Sequence, residues 1–321
     1  MDDAVDASGL RGLYAGQMEI AEPFEPMTDN RAREVLAELW GIEAQSLDRL
    51  DTERDDSFHV TSAAGEYVLK VAHPDDDELA VNLQTAAMSF ASELEPRLPL
   101  QRILLSREGD VESEADGRIV RLLTWLPGAP FFDTTPTGEQ LGILGETLGR
   151  LSQALSTFDH PAAHRDFVWD AARLDLVRPL AVAAAKPEID AAFDLYDAHS
   201  FEGLPRQVIH NDFHPGNVLV DAASPDYVTG VLDFGDVKHS LRVADLAIAL
   251  SYLRTPLHVD ADAFIAGFER VVRLTPAEHE ALPALIAARF AQRYLINRAL
   301  DPDNPYGDQN LGALRTLLEE S

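Results

Sequence analysis

The chain has 321 residues, 46% of them hydrophobic, and its 55 acidic and 26 basic residues give a formal net charge of −29. This length and apolar fraction predict a globular protein with a large core, divided into about two lobes. The negative charge disfavours nucleic acid and anionic membranes as partners, and the lack of cysteine excludes disulfides and thiolate metal sites.

The N-terminal stretch has no targeting pattern. Its acidic start, Met1-Asp2-Asp3, lacks the basic residues of a signal peptide, and no apolar run in the sequence is long enough to span a membrane. We therefore expect a cytoplasmic protein. Residues 1–28 are polar and irregular, which predicts a mobile arm.

Residues 29–127 have the pattern of a small lobe that mixes helices and strands. Apolar residues at helical spacing predict helices over 32–40 and 78–94. Strands rich in β-branched residues are predicted over 58–61, 66–71, 101–106 and 117–126. Pro127 and Gly128 break the last strand, so we expect the first lobe to end there.

Residues 128–321 are mostly helical in pattern. Helices are predicted over 137–157, 169–185, 186–199, 243–253, 261–268 and 276–300. The first of these contains Gly138, Gly142, Gly145 and Gly149, but no strand precedes them as a nucleotide-binding glycine motif would require. Their helical spacing instead predicts close packing against another helix.

A strand–loop–strand stretch at 208–220 carries the strongest chemical signal. Its loop has the spacing H-x-D-x-x-x-x-N at His210, Asp212 and Asn217, and a second apolar strand leads into Asp233. A carboxylate can accept the proton of an attacking hydroxyl, and amide and carboxylate oxygens suit Mg²⁺. The pattern therefore predicts Asp212 as general base and Asn217 and Asp233 as magnesium ligands, an arrangement that phosphoryl transfer requires.

Two further polar residues are predicted to support this loop rather than to react. His210 is expected to hold the loop backbone from the core side. Asp245 begins an apolar helix, where a carboxylate is favoured by the helix dipole, and it is expected to brace the His210 loop from below.

Lys70 ends the predicted strand 66–71, where a lysine can place a compact charge against nucleotide phosphates. Its partner should come from the helix 78–94, and the candidates are Gln84 and Glu78. The loop 51–58 should cover the phosphates, with Ser57 as a contact. This loop contains no glycine, and the sequence contains no P-loop motif.

The motifs H-N-D-F-H-P-G-N, V-L-D-F-G-D and A-D-L-A, at 210–217, 231–236 and 244–247, closely resemble those of the aminoglycoside phosphotransferase/choline kinase-like family. The resemblance extends from about residue 32 to residue 300 and implies an α+β, bilobal protein-kinase-like fold. It also implies Mg²⁺ as cofactor and ATP (or GTP) as phosphoryl donor, with Asp212, Asn217, Asp233 and Lys70 in the roles given above. Backbone groups near Thr124 and Trp125 would meet the adenine edge.

Within that family, short segments around Phe167, Gly230 and Arg289 look most like the hydroxylysine kinase group. The resemblance implies a small-molecule substrate with a hydroxyl and an amine, an amino alcohol or a hydroxy amino acid. Asp170 and Asp236 could pair with its ammonium group. Arg289 could bind a substrate carboxylate, whereas Arg293 is expected to be a surface residue.

Two other functions remain open from the sequence. An aminoglycoside phosphotransferase would use the same chemistry on an antibiotic. A non-catalytic nucleotide-binding pseudokinase is favoured by the glycine-free loop and by Gln84, although Lys70, Asp212, Asn217 and Asp233 are all present. The sequence leaves the acceptor, the choice between ATP and GTP, and the oligomeric state undetermined.

Overall fold

The computed structural model describes residues 24–52, 54–259, 261–301, 303–304 and 306–320. Most of the predicted arm, residues 1–28, lies outside the described residues. Residues 24–27 pack on the first lobe: Met27 is buried, its backbone N–H donates to Asp56 at 2.6 Å, and Phe24 lies under the guanidinium of Arg118. The first lobe therefore includes at least these four residues.

An antiparallel sheet forms the first lobe. Its strands are β1 (Ala44–Arg49), β2 (Asp56–Ser62), β3 (Gly65–Val71), β4 (Ile103–Leu104), β5 (Ser113–Ala115) and β6 (Arg118–Thr124). They are ordered β1-β2-β3-β6-β4, and β5 also pairs with β6. The predicted strands within 58–71 and over 117–126 are present, whereas the one predicted over 101–106 is reduced to β4.

The two faces of this sheet have different surroundings because side chains alternate along each strand. On one face Phe58, Leu69 and Leu122 pack against α1 (Asp29–Val35), which continues as a π-helical segment over Leu36–Trp40. On the other face Val68 and Leu123 join a core with α2 (Glu78–Leu94). Lys70 follows the alternation of Val68 and so belongs to the α2 face.

The second lobe is mainly helical. Its helices are α3 (Gly138–Leu155), α4 (Arg178–Ala184), α5 (Pro187–Asp197), α6 (Arg242–Arg254), α7 (Asp262–Glu269), α8 (Pro276–Leu300) and α9 (Tyr306–Glu320). Its short strands are β7 (Ala129–Pro130), β8 (Arg206–Ile209), β9 (Val218–Val220), β10 (Val228–Val231) and β11 (Lys238–Leu241). The chain passes between the lobes over 125–128, because β7 already pairs with β9. The fold is α+β and bilobal, as the sequence predicted.

The glycines of α3 serve helix packing. A Cβ added at Gly145 would lie 1.9 Å from the Phe264 carbonyl oxygen, and one at Gly267 would lie 2.1 Å from the Gly142 carbonyl oxygen. The backbones of α3 and α7 are thus in direct contact, and side chains larger than hydrogen cannot fit between them. Within the described residues no helix is long and apolar enough to cross a membrane.

Candidate active site

The loop 210–217 joins β8 to β9 and is held by buried hydrogen bonds. The Asp245 carboxylate, at the start of α6, accepts the backbone N–H groups of His210 at 3.0 Å and Asn211 at 2.6 Å. These two bonds fix the turn, in which Asn211 has a positive φ of 66°. Burial raises the pKa of Asp245 to about 7, although the two N–H donors oppose that rise.

His210 connects this loop to the one that carries Asp233. Its Nδ1 accepts the backbone N–H of Asp212 at 3.3 Å, so its Nε2 carries the proton and donates to the Leu232 carbonyl oxygen at 3.0 Å. Burial lowers the pKa of His210, which keeps the ring neutral and preserves this pairing. The contacts of His210 and Asp245 are those expected of supporting residues.

The Asp212 carboxylate is fixed from three sides. Arg289 of α8 places Nη2 at 3.2 Å from Oδ1, and the Asn217 amide nitrogen donates to Oδ2 at 2.7 Å. The Nε2 of His214 lies 3.4 Å from Oδ2. His214 accepts the Gly216 N–H on Nδ1 at 2.9 Å, so its Nε2 proton faces the carboxylate.

The charges around Asp212 outweigh its burial. Burial by itself would raise the pKa of the Asp212 carboxyl. The opposing effect of His214 and Arg289 is larger and lowers the pKa to about 2. Burial lowers the pKa of the His214 imidazole, and the adjacent Asp212 more than compensates, so the pKa stands above its ordinary value. Asp212 is therefore ionised at neutral pH, the state that a general base needs.

Asn217 and Asp233 present oxygens that fit a magnesium ion. The amide nitrogen of Asn217 is turned towards Asp212, so its amide oxygen points the other way. Asp233 follows β10 with a positive φ of 59° and is exposed, with Oδ1 accepting the Gly235 N–H at 2.9 Å. Within the described residues there is no cluster of three or more His, Cys, Asp or Glu side chains for a metal, so these two oxygens would need nucleotide phosphates or water as further ligands.

The partner of Lys70 differs from both candidates predicted from α2. Lys70 Nζ lies 2.8 Å from the Asp55 carboxylate, which comes from the loop before β2. Gln84 accepts instead from Nη1 of Arg121 at 3.2 Å. The prediction that Gln84 or Glu78 orients Lys70 is thus wrong, because Gln84 is bonded to the buried Arg121 of β6 and Lys70 is paired with Asp55.

In the hinge between the lobes, the backbone N–H groups of Thr124 and Trp125 already have hydrogen-bond partners. The Thr124 N–H donates to the Arg102 carbonyl at 2.9 Å, and the Trp125 N–H donates to the Glu66 carbonyl at 3.1 Å. These two donors bond within the first lobe, so an adenine edge in this position would use other backbone groups near Thr124 and Trp125. The indole of Trp125 stacks on the His59 ring at a centroid distance of 3.8 Å.

Asp170 is not placed to bind a substrate ammonium group. It is 2% exposed, and its carboxylate pairs with Lys238 Nζ at 2.6 Å and accepts from the Ser240 hydroxyl at 2.6 Å. It also caps the 3₁₀ segment Ala171–Val177 through the Ala172 N–H. The ammonium prediction for Asp170 is wrong, since its charge is already neutralised by a lysine of β11.

Arg289 and Arg293 of α8 are buried beside Asp212, at 2% and 7% exposure. Arg289 donates to the Trp169 carbonyl at 2.7 Å as well as to Asp212, so it fixes the position of the Asp212 carboxylate. Arg293 lies 4.0 Å above the Tyr252 ring, which corrects its assignment as a surface residue. Asp236 is half-buried and near enough to Arg289 to raise the pKa of that guanidinium.

The sequence pattern did not identify His214, Tyr252, Asp55 or Arg121 as members of the site. His214 lies inside the recognised motif, so its position next to Asp212 was a usable signal. The other three reach the site from separate elements and have no motif of their own.

Comparisons with known proteins establish the family of this chain. Residues 47–298 match the model of a family described as the phosphotransferase enzyme family. The chain belongs to the phosphotransferase enzyme family. A hydroxylysine kinase of Danio rerio is 29% identical, with 92% of this chain and 90% of that protein covered. A homoserine kinase of Xanthobacter autotrophicus is 32% identical, but over only 61% of this chain and 62% of that protein.

Solved structures of other proteins share the fold of this chain. A microcompartment-associated aminopropanol kinase superposes with a TM-score of 0.70 at 18% identity, covering 91% of this chain and 95% of that one. An amicoumacin kinase in complex with AMP-PNP and Ca²⁺ gives a TM-score of 0.69 at 14% identity, covering 92% and 94%. These identities support a shared kinase-like fold and carry no information about the acceptor.

Proposed function

We propose that this phosphotransferase uses ATP and a divalent cation, Mg²⁺, to phosphorylate the hydroxyl of a hydroxy amino acid. The observation that carries the proposal is the Asp212 carboxylate, which is ionised, fixed by Arg289 and Asn217, and next to two oxygens suited to a metal. Similarity to hydroxylysine kinases over 87% and 92% of this chain supports the same substrate class.

Each residue has a defined part in this reaction. Asp212 orients the acceptor hydroxyl and accepts its proton as the bond to phosphorus forms. Asn217 and Asp233 would hold Mg²⁺, which supplies charge neutralisation at the phosphates. Lys70 binds the phosphates of the donor from the first lobe.

The charges beside Asp212 favour an acceptor that carries a carboxylate. Arg289, Arg293 and His214 are grouped around Tyr252: Arg293 lies 4.0 Å and Arg289 6.0 Å from the centre of its ring, and the His214 ring lies 5.1 Å from it. The Nε of Arg289 is buried and has no hydrogen-bond partner within the described residues. A substrate carboxylate would satisfy such a donor, and an unpaired buried donor is costly.

The same charges argue against an aminoglycoside acceptor. Aminoglycosides carry several ammonium groups, which the two buried guanidinium groups of Arg289 and Arg293 next to Asp212 would repel. Asp170, one of the two carboxylates expected to receive an ammonium group, is neutralised by Lys238. Asp236 remains a candidate for a single substrate amine.

The substrate class is tested with a matched pair of acceptors. Homoserine and 3-aminopropan-1-ol differ only in the carboxylate. The kcat/KM measured by ADP release should therefore be at least about a hundredfold higher for homoserine. Hydroxylysine, ethanolamine, choline and aminoglycosides complete the panel, each with ATP and GTP. Equal kcat/KM for the two members of the pair would contradict carboxylate recognition.

The panel also tests the pseudokinase alternative. A protein that is thermally stabilised by ATP, yet releases no ADP above background with any acceptor, would be a nucleotide-binding protein without catalysis. Turnover that disappears in Asp212→Asn with ATP binding retained would instead support the kinase assignment.

A further inference from the structure

Three hydrogen-bond donors lie in one row across the sheet of the first lobe. Ser57 of β2 is directly opposite Lys70 of β3, and Lys70 is directly opposite Arg121 of β6. Directly opposed residues of antiparallel strands project from the same face. A hydroxyl, an ammonium and a guanidinium are thus side by side on the sheet face that packs towards α2.

Asp55 bridges two members of this row. Its Oδ2 lies 2.8 Å from Lys70 Nζ and 3.6 Å from Arg121 Nη2. Burial raises the pKa of the Asp55 carboxyl, but Lys70 and Arg121 together hold it below its ordinary value. A single anionic oxygen between a lysine and an arginine has the chemistry of a bound phosphate oxygen.

The row also has unused donors. Arg121 is 2% exposed and Ser57 is 1% exposed. Within the described part of the chain, Nε and Nη2 of Arg121 and the hydroxyl of Ser57 have no hydrogen-bond partner. Nη1 of Arg121 is held by Gln84 at 3.2 Å and by the Thr85 hydroxyl at 3.4 Å, which orients the guanidinium.

We propose that Arg121 is a second phosphate-binding cation beside Lys70, and that Asp55 occupies the phosphate position until a nucleotide displaces it. The ligand class is a nucleoside di- or triphosphate, so this inference rests on the proposed function. A phosphate has more acceptor oxygens than the Asp55 carboxylate. It can therefore also accept from the Ser57 hydroxyl and from the N–H groups of Arg121 that have no hydrogen-bond partner among the described residues.

The position of Asp55 makes displacement feasible. It is the last residue of the short connection between β1 and β2, and its immediate neighbour Asp56 is the one anchored, through Arg49 and the Met27 N–H. The connection is closed by the Leu50 N–H bonding to the Ser57 carbonyl at 2.9 Å. Asp55 can therefore turn away while β2 stays in register.

The test compares ADP with adenosine, in the presence of Mg²⁺, by calorimetry. Adenosine lacks phosphates, so it reports on the base and sugar alone. In Arg121→Gln the Kd for ADP should rise about tenfold with the Kd for adenosine unchanged, since a charged hydrogen bond is lost. Arg121→Lys keeps the charge without the fork of donors and should give an intermediate Kd.

Asp55→Asn should have the opposite effect. The uncharged amide no longer competes for the two cations, so the Kd for ADP should fall about threefold or more, because a larger fraction of the protein is ready to bind. Asp51→Asn, an exposed residue of the same connection, is the matched control and should leave the Kd unchanged.

Two results would overturn the inference. One is weaker ADP binding in Asp55→Asn, which would make Asp55 a permanent partner of Lys70. The other is an ADP Kd in Arg121→Gln that is unchanged, or that rises together with the Kd for adenosine. Lys70→Gln distinguishes failure of this inference from failure of the proposed function. If Lys70→Gln also leaves the ADP Kd unchanged, the proposed nucleotide site itself is wrong.

Discussion

Asp212 is the residue on which the proposed chemistry depends, and Arg289, Asn217 and His214 all converge on its two oxygens. Asp212→Asn preserves the shape of the side chain and removes the proton acceptor. We expect kcat to fall by about a thousandfold, within the range for general bases, with the ADP Kd unchanged. Coupled ADP-release assays and calorimetry would measure the two quantities.

The control for that substitution is Asp226→Asn, in the exposed turn before β10. Asp226→Asn also removes one negative charge, at a position that follows the loop 210–217 closely in the sequence, and it should leave kcat unchanged. A retained kcat in Asp212→Asn would show that the base has been misassigned.

His214 should make the stability of the unliganded protein depend on pH. Its pKa is raised above its unfolded value near 6.5 by Asp212, despite burial. The imidazolium therefore stabilises the fold fully below about pH 6.5 and loses this contribution as the pH rises through the folded-state pKa. The difference in free energy of unfolding between the native protein and His214→Gln should be largest near pH 5.5.

Urea unfolding of both proteins from pH 5 to pH 9 would measure this difference. His164→Gln is the control, since its Asp159 partner is on the surface and the pair is well exposed. A difference for His214→Gln that grows towards pH 9 would contradict the assigned direction of the pKa shift.

The sequence predicted the roles of site residues that belong to a motif, including Asp245, and did not predict ion-pair partners that have no motif of their own. Asp212 and Asn217 belong to one tight turn, so their spacing alone brings them together. The partners of Asp170 and Lys70 depend on Lys238 and Asp55, whose positions follow from strand pairing rather than from a motif. Hydrophobic periodicity does not show which charged residue forms the ion pair with a buried charged group.

Among the larger elements, long amphipathic segments were predicted best. The bounds of α2 and α8 match the expectation, because each begins at a capping residue, Asp77 and Thr275. The segment 169–185 was predicted as one helix and is a 3₁₀ segment followed by α4, with non-helical angles at Arg173. The terminal helix α9 was not predicted.

The contact between α3 and α7 gives a prediction with an internal control. Gly145→Ala would place a methyl group 1.9 Å from the Phe264 carbonyl oxygen, so the helices must separate. We expect the free energy of unfolding to fall by about 3 kcal/mol, at the upper end for overpacked sites. Urea denaturation would measure it.

Gly138→Ala makes the same change on the same helix, where nothing lies within 4 Å of the added methyl. This variant should be slightly more stable than the native protein, by about 0.5 kcal/mol, because alanine loses less backbone entropy. If both alanine variants changed stability equally, the helices would not be in the close contact described.

At the scale of the whole molecule, charge is distributed unevenly. The chain carries a formal net charge of −29, yet Arg289 and Arg293 concentrate positive charge around Asp212. A negative field slows the approach of ATP and of other anions, whereas this local cluster attracts a carboxylate once it arrives. The acidic surface therefore cannot be used to infer a cationic substrate.

The excess of acidic residues should also limit stability at low salt. Self-repulsion of a chain with a net charge of −29 acts over the whole surface and is screened as the Debye length falls from about 30 Å at 0.01 M to about 8 Å at 0.15 M salt. Surface ion pairs such as Arg178–Asp197 are weakened by the same screening, but each contributes little. We therefore expect the melting temperature to rise with salt, by about 2 °C or more between these two concentrations. Sodium, potassium and choline chlorides should act equally if screening is the cause, and a melting temperature that falls in all three would mean that ion pairs outweigh the repulsion.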